Sequence, residues 1–333
     1  MKRDNPLVNH IVQSIGSSSV EKGRVFAAKC CPDASPTIYG NYQQLYDDAN
    51  VDIIYIGTPH AFHKKHCLEA IAAGKAVLCE KAFTLNAKEA QEVFDAAREK
   101  GVYVAEAMWL RHRPLVQQLR SAIHEENVIG EPFRMFADFG LDLDIRSLPQ
   151  SSRYRDPDLG AGSLLDVGVY SLTWSLLTLD AGTPSHSEMP KVLAQQSFDE
   201  DIEVTSSILL SYPSTGRQAI ATCTTNINRG PGVIARVDGR DGYIEIAGLG
   251  GSIPHSFTIY KKNPPGSAKK HELIKKFEFP EQSRGFIHEI DNTGKDILEG
   301  RKQSSIMPWS ETINVMKIMD EIRRQGGTKY SVD

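Results

Sequence analysis

The sequence predicts a doubly wound α/β domain followed by an α+β domain with an open, mainly antiparallel sheet. Three observations predict it. Val51 to Ala82 reads strand–helix–strand, strands and helices alternate up to about residue 125, and strands dominate from Val192 to Phe279. Val51 to Ile56 is an apolar, β-branched run broken by Gly57-Thr58-Pro59, as in a strand buried on both faces. His63 to Ala73 places Cys67, Leu68, Ile71 and Ala72 at helical spacing, and Gly74 stops that helix. Ala76 to Cys79 is a second buried strand, and two parallel strands need such a crossover. Ligands of open parallel sheets sit past the carboxyl ends of the strands. The polar ends Thr58-Pro59-His60 and Glu80-Lys81 therefore face one crevice.

The other elements follow in order. His10 to Ile15 reads as a strand and Val20 to Lys29 as a helix, with the serines from Ser18 as cap signal. Tyr42 to Asp48 is a short helix. Asn86 to Lys100 is amphipathic through Ala90, Val93, Phe94 and Ala97, and Gly101 closes it. Val102 to Ala105 is a strand, and a helix runs from Pro114 to about Glu126. In the second part Phe133 to Gly140 is a strand and Ser163 to Leu179 an apolar helix. Strands follow at 191–198, 203–212, 217–226, 232–238, 242–247, 255–262 and 271–279, joined by turns at 213–216 and 239–242. Helices at 285–299 and 309–325 end the chain, the last able to pack back on the first domain. The domains are 1–125 and 126–333.

Composition narrows the function. A formal net charge of -4 gives no strong field toward nucleic acid or an anionic membrane. The start, MKRDNPLVNH, has no apolar core of a secretory signal, and no run approaches about 18 apolar residues. Cys30, Cys31, Cys67, Cys79 and Cys223 are odd in number and form no C-x-x-C, which reads as free thiols in a reducing, cytoplasmic setting.

Several residues carry chemistry. Lys81, at a strand end, either reaches the crevice, where an ammonium can orient a substrate hydroxyl, or lies solvated at a loop start. Asp166 and Tyr170 are four apart on an apolar helix and share a face. Tyr170 is either an acid or base toward an alcohol or a structural phenol bonded to main chain. His60, His63 and His66 invite a metal, but no Cys, His or carboxylate completes a site, and a polar lining for an anion at the helix start fits better. Gly248 to Gly251 is flanked by strands and reads as a turn.

Together these segments resemble the Gfo/Idh/MocA oxidoreductase family over essentially the whole chain. The carriers are Gly57-Thr58-Pro59-His60 with His63, and Ala73-Gly74-Lys75-x-Val77-Leu78-Cys79-Glu80-Lys81. Trp109-x-Arg111, Gly162-Ser163-Leu164-Leu165-Asp166-Val167-Gly168-Val169-Tyr170 and Met307-Pro308-x-x-Glu311-Thr312 complete them. The resemblance implies a Rossmann domain, a second domain whose sheet forms a homodimer contact, and a sugar or vicinal diol as substrate. It implies Lys81 and Tyr170 near a nicotinamide, with Asp166 holding the substrate or Tyr170. Gly57, Thr58, Pro59, His60, His63, Glu80, Lys81, Trp109 and Arg111 would line the cofactor, and Ser17 and Ser18 would meet its adenosine ribose.

Two departures stand out. The family's E-K-P is Glu80-Lys81-Ala82, which removes a proline that shapes the backbone after the lysine. No strand with a G-x-G-x-x-G loop precedes the His10 segment, so the Rossmann domain is expected to be N-terminally truncated by roughly 30 residues, leaving a gap beside the Val51 strand. No acidic residue follows the His10 strand to take a ribose hydroxyl, while Ser17, Ser18, Lys22 and Arg24 suit a 2′-phosphate. NADP is thus favoured, with NAD the alternative. The rival reading is a binding or sensor protein without redox turnover.

Overall fold

The computed structural model describes residues 8–180, 188–228, 230–280 and 285–333. The first half alternates β1 (Ser14–Gly16), α1 (Val20–Cys30), β2 (Thr37–Tyr39), α2 (Tyr42–Tyr46), β3 (Ile53–Ile56), α3 (His60–Ala72), β4 (Ala76–Glu80), α4 (Ala87–Lys100) and β5 (Val104–Ala107). Side chains begin three of its helices. Ser19 accepts from the Lys22 N–H at 3.2 Å, Asn41 from Gln44 at 3.0 Å and Asn86 from Glu89 at 2.9 Å. Gly101 closes α4 at φ +71°, and Gly74 turns the chain after α3 at φ +78°.

Some expectations shift. The strand expected over His10 to Ile15 covers only Ser14–Gly16, because β2 offers three residues to pair with it. His10 is instead tied to Asp291 at 3.0 Å. The cap is Ser19, not Ser18, and β5 starts two residues later than its apolar run, in register with β4 from Val77↔Val104. β2 was not anticipated; three residues after a proline carry no period to read.

β3, β4 and β5 form a parallel sheet, while β1 and β2 form a separate parallel pair. No ladder joins β1 to β3, the discontinuity expected between those segments.

Beyond β5 come α5 (Pro114–Arg120), a π-helical turn at Ser121–Glu125, and β6 (Pro132–Gly140). A second π-helical turn, Leu164–Gly168, leads into α6 (Val169–Leu179), all of whose residues are buried. Then follow β7 (Lys191–Asp199), β8 (Ile202–Tyr212), β9 (Arg217–Thr224), β10 (Gly232–Gly239), β11 (Gly242–Gly248), β12 (Pro254–Lys262), β13 (His271–Glu278), α7 (Phe286–Leu298) and α8 (Trp309–Gly326). The sheet order is β13-β12-β11-β10-β6-β9-β8-β7, antiparallel except between β6 and β9. α6 packs on β6 and β9, and α8 lies against both β7 and α4, so the last helix ties the halves together.

The far side of this sheet carries an apolar row. Leu193, Leu209, Ile220 and Phe136 are cross-strand neighbours in successive ladders. At the outer edge of β7, the Gln325 side chain accepts from the Ala194 N–H at 2.9 Å and donates to the Val192 carbonyl at 2.8 Å.

Candidate active site

The tips of β3, β4 and β5 and the turn into α6 come together. His63 is fully buried and staples two of these tips. Its Nε2 lies 2.7 Å from the Thr58 carbonyl and its Nδ1 3.1 Å from that of Ala82. Burial, and then neighbouring His60, lower its pKa to about 3. His63 therefore shapes the lysine turn, its neutral ring having one N–H to give to one of these carbonyls. The Lys81–Ala82 peptide in that turn is cis.

Lys81 is turned toward the start of α6. Its Nζ donates to the Asp166 main-chain carbonyl at 2.7 Å and lies 5.4 Å from the centre of the Tyr170 ring. Burial lowers its pKa, and the carboxylates of Asp166 and Glu80 oppose that. The Tyr170 hydroxyl accepts from the Trp109 indole N–H at 2.6 Å, not from main chain and not from Lys81. Burial, with Glu80 nearby, raises its pKa well above the usual value, so Tyr170 is a neutral phenol. Trp109 is stacked on Phe286 at 4.5 Å.

Asp166 is buried, and one oxygen accepts from Arg153 at 3.0 Å. Its Oδ2 is buried and has no partner among the described residues, so one acceptor stands open. His60 joins this group through its proximity to Asp166, Lys81 and Arg153, and its Nδ1 lies 3.1 Å from the Gly160 carbonyl. Glu80 accepts from the Tyr55 hydroxyl and from the Lys81 N–H at 3.2 Å.

Thr58 holds a buried hydroxyl without a partner among the described residues. Pro59 occupies the cap position of α3 and gives it no side-chain bond, which leaves N–H groups at that helix start. Gly57 is exposed at the end of β3, and a Cβ there would come 3.3 Å from the Tyr55 ring. Ser17 and Ser18 follow β1 of the other sheet, and Ser18 accepts from Lys22 Nζ at 3.2 Å. No hydrogen bond or ion pair among the described residues links them to the Lys81 group.

Arg111 departs from expectation. It is buried, ion-paired with Glu311 and bonded to the Ile306 carbonyl at 3.2 Å, so its guanidinium anchors the start of α8. Sequence reading also missed Arg153, Glu106 and Glu203. Glu203, on β8, accepts from Ser163 Oγ at 2.6 Å, the Leu164 N–H at 2.8 Å and Ser206 Oγ at 2.7 Å, and so fixes the turn that carries Asp166. No local pattern marks these residues, because each meets its partner only through the fold. Among the described residues no group of His, Cys, Asp or Glu forms a metal site.

Comparison with known proteins agrees with this architecture. The profile described as the oxidoreductase family GFO_IDH_MocA, NAD-binding Rossmann fold, matches residues 7–108, and the family's C-terminal domain matches residues 116–253. A D-xylose 1-dehydrogenase (NADP(+)) of Hypocrea jecorina is 31% identical, covering 97% of this chain and 85% of its own. A trans-1,2-dihydrobenzene-1,2-diol dehydrogenase of Danio rerio is 30% identical, covering 99% of this chain and 93% of its own. A 3-ketoreductase from Actinomadura kijaniata, solved with NADP and TDP-benzene, superposes with a TM-score of 0.78 at 23% identity, covering 96% of this chain and 91% of its own. An aldose-aldose oxidoreductase from Caulobacter crescentus, solved with glycerol, gives 0.74 at 20%, covering 95% and 89%. These two structures speak for the fold alone. With two family profiles across most of its length and full-length relatives at this identity, the chain belongs to the Gfo/Idh/MocA oxidoreductase family.

Proposed function

We propose that the protein is an NADP-dependent oxidoreductase moving a hydride between a nicotinamide and a sugar or vicinal diol. The observation that carries this is the convergence of Lys81, Asp166 and Tyr170, from opposite halves of the fold, on one crevice. The names of the two dehydrogenase relatives support the substrate class, and that of the first supports the cofactor.

The strand tips fit such a cofactor. Thr58 has an orphaned buried hydroxyl and α3 an uncapped N-terminus, both suited to a polar, anionic group. Gly57, Thr58, Pro59, His60, Glu80 and Trp109 would line it, with Ser17 and Ser18 toward the adenosine end. When bound, it supplies the hydride donor or acceptor. The open Oδ2 of Asp166 takes a substrate hydroxyl, and Arg153 holds the carboxylate in place. Lys81 orients the reacting oxygen. Held as a phenol, Tyr170 gives its proton to a carbonyl oxygen in reduction, and the same atoms return it in oxidation. The test is to mix the protein with NADP+ and D-xylose or trans-1,2-dihydrobenzene-1,2-diol and follow NADPH absorbance. No turnover with any member of a sugar and diol panel would sink the proposal.

One observation favours a second reading, binding without turnover: β1 and β3 are not joined in one sheet. A thermal shift with NADPH but no turnover is its expected result. The apolar row Leu193, Leu209, Ile220 and Phe136 supports a homodimer formed face to face through the large sheet, which sedimentation tests. The five free cysteines support a reducing, cytoplasmic location.

A further inference from the structure

A line of buried side chains runs from the end of α8 to the turn that carries Asp166. Gly327 stops α8 at φ +101°. Thr328, just after it, donates its hydroxyl to the Gln196 amide oxygen at 2.7 Å and its N–H to the same oxygen at 3.3 Å. Gln196, on β7, donates from Nε2 at 2.9 Å to Ser206 Oγ, its partner in register on β8. Ser206 Oγ donates to Glu203 Oε1 at 2.7 Å. That carboxylate also takes Ser163 Oγ at 2.6 Å and, through Oε2, the Leu164 N–H at 2.8 Å. Thr328, Gln196, Ser206, Glu203 and Ser163 are all buried.

The donors in this line point one way. Gln196 meets two donors of Thr328, so its amide has one orientation; turned over, its NH₂ would face N–H and O–H. Ser206 accepts from that amide, so its own proton goes to Glu203. Bonds polarised in sequence toward one carboxylate strengthen each other. The fit is close at both ends. A Cβ on Gly326 would stand 2.1 Å from Gln196 Cγ, and one on Gly162, at φ +140°, 3.1 Å from Glu203 Oε2.

The far end of the line is the reactive turn. Glu203 holds Ser163 and Leu164, and the Gly162 carbonyl before them accepts from the Asp166 N–H at 3.3 Å. Asp166 in turn takes Lys81 Nζ on its carbonyl at 2.7 Å and Arg153 on Oδ1 at 3.0 Å. A shift of Glu203 therefore moves the atoms that hold Lys81 and Arg153.

We propose that Gln196 is a positioning residue, acting through Ser206 and Glu203 on the Asp166 turn, and that the Thr328 hydroxyl sets Gln196 for this task. Its effect on turnover rests on the reading of Asp166 and Lys81 as the groups that meet the reacting hydroxyl.

The experiment has two arms. Thr328→Val removes the hydroxyl and keeps the shape; Thr328→Ser removes the methyl and keeps the hydroxyl. Protein labelled with ¹⁵N-leucine reports the Leu164 N–H, assigned by its loss in Leu164→Met. Its proton shift follows the bond to Glu203, so it should move in Gln196→Met and Thr328→Val and stay near wild type in Thr328→Ser. In the second arm kcat/KM is measured with NADP+ and D-xylose or the dihydrodiol. Gln196→Met should lose about three- to tenfold, the worth of one hydrogen bond, while NADPH affinity by fluorescence titration holds. Thr328→Val should lose less than that, and Thr328→Ser nothing measurable. A Thr328 that only packs gives the reverse order, serine worse than valine, and leaves the Leu164 amide in place; either result overturns the inference. So does a loss of NADPH affinity equal to the loss of turnover. If neither substrate turns over, the functional reading fails, and the amide arm still decides this one. Should Gln196→Met not fold, the two Thr328 variants carry both arms.

Discussion

The indole nitrogen of Trp109 donates to the hydroxyl oxygen of Tyr170 at 2.6 Å. This bond comes from the chain segment after β5 and meets a helix of the other half. It fixes the phenol oxygen as an acceptor, so the phenol's own proton must point elsewhere. It also partly offsets the burial that raises the Tyr170 pKa. Trp109→Phe removes one hydrogen bond worth about 1 kcal/mol, so kcat should fall by up to about tenfold. NADPH affinity, read by fluorescence titration, should hold. Equal losses in binding and turnover would mean that the indole serves the cofactor it lines rather than the phenol.

Tyr170→Phe should cost about 10²–10⁴ in kcat, the usual worth of a positioned acid or base, while the protein still binds NADPH. Lys81→Met should behave alike. Wild-type turnover in either variant, with unchanged circular dichroism, would remove that residue from the mechanism.

Glu203 satisfies three donors at the entry to α6. Glu203→Ala leaves them unpaired in the interior and should lower stability by about 3 kcal/mol in urea unfolding. Glu203→Gln keeps an acceptor and should lose less. A near-neutral alanine variant would mean that water replaces the carboxylate.

Arg111 and Glu311 form a buried pair, so removing one partner strands the other. Arg111→Met should destabilise by about 3–5 kcal/mol, and adding Glu311→Leu should recover much of that loss. If Arg111 instead serves the cofactor, the single variant keeps its stability and loses NADPH binding.

His112 is buried beside Arg111, and burial, then that cation, lower its pKa to about 3. The unfolded chain takes up a proton near pH 6.5, and the folded one does not. This contribution is therefore full above about pH 6.5 and is lost as pH falls toward 3. By about pH 5 it should cost about 2 kcal/mol, and His63 adds a similar slope. Urea midpoints between about pH 7 and pH 5 should fall less steeply in His112→Gln; parallel slopes would show that the imidazole is protonated in the fold.

What local pattern encodes was legible. The Ile53–Ile56 strand, the Asn86 cap and the glycine stops follow from rules that act within a few residues. So does the apolar α6, which has no polar face to misplace. Long-range pairing was not legible. Nothing near Ser163 announces that a glutamate 40 residues later will cap it. Nothing near Lys81 tells that its ammonium takes a main-chain carbonyl while an indole takes the phenol. Arg111 looked available because its partner lies 200 residues away. Charges in an interior choose partners by proximity after folding, and sequence distance holds no record of that.

The Gln325 amide laid along β7 has a bearing on assembly. A strand rim with free amides and carbonyls invites another chain to extend the ladder without end. Here one rim is partly occupied by a side chain of the same molecule, and the opposite rim, β13, carries the charged residues Glu272, Lys275, Lys276 and Glu278. Side-by-side extension of the ladder is thereby disfavoured at both rims.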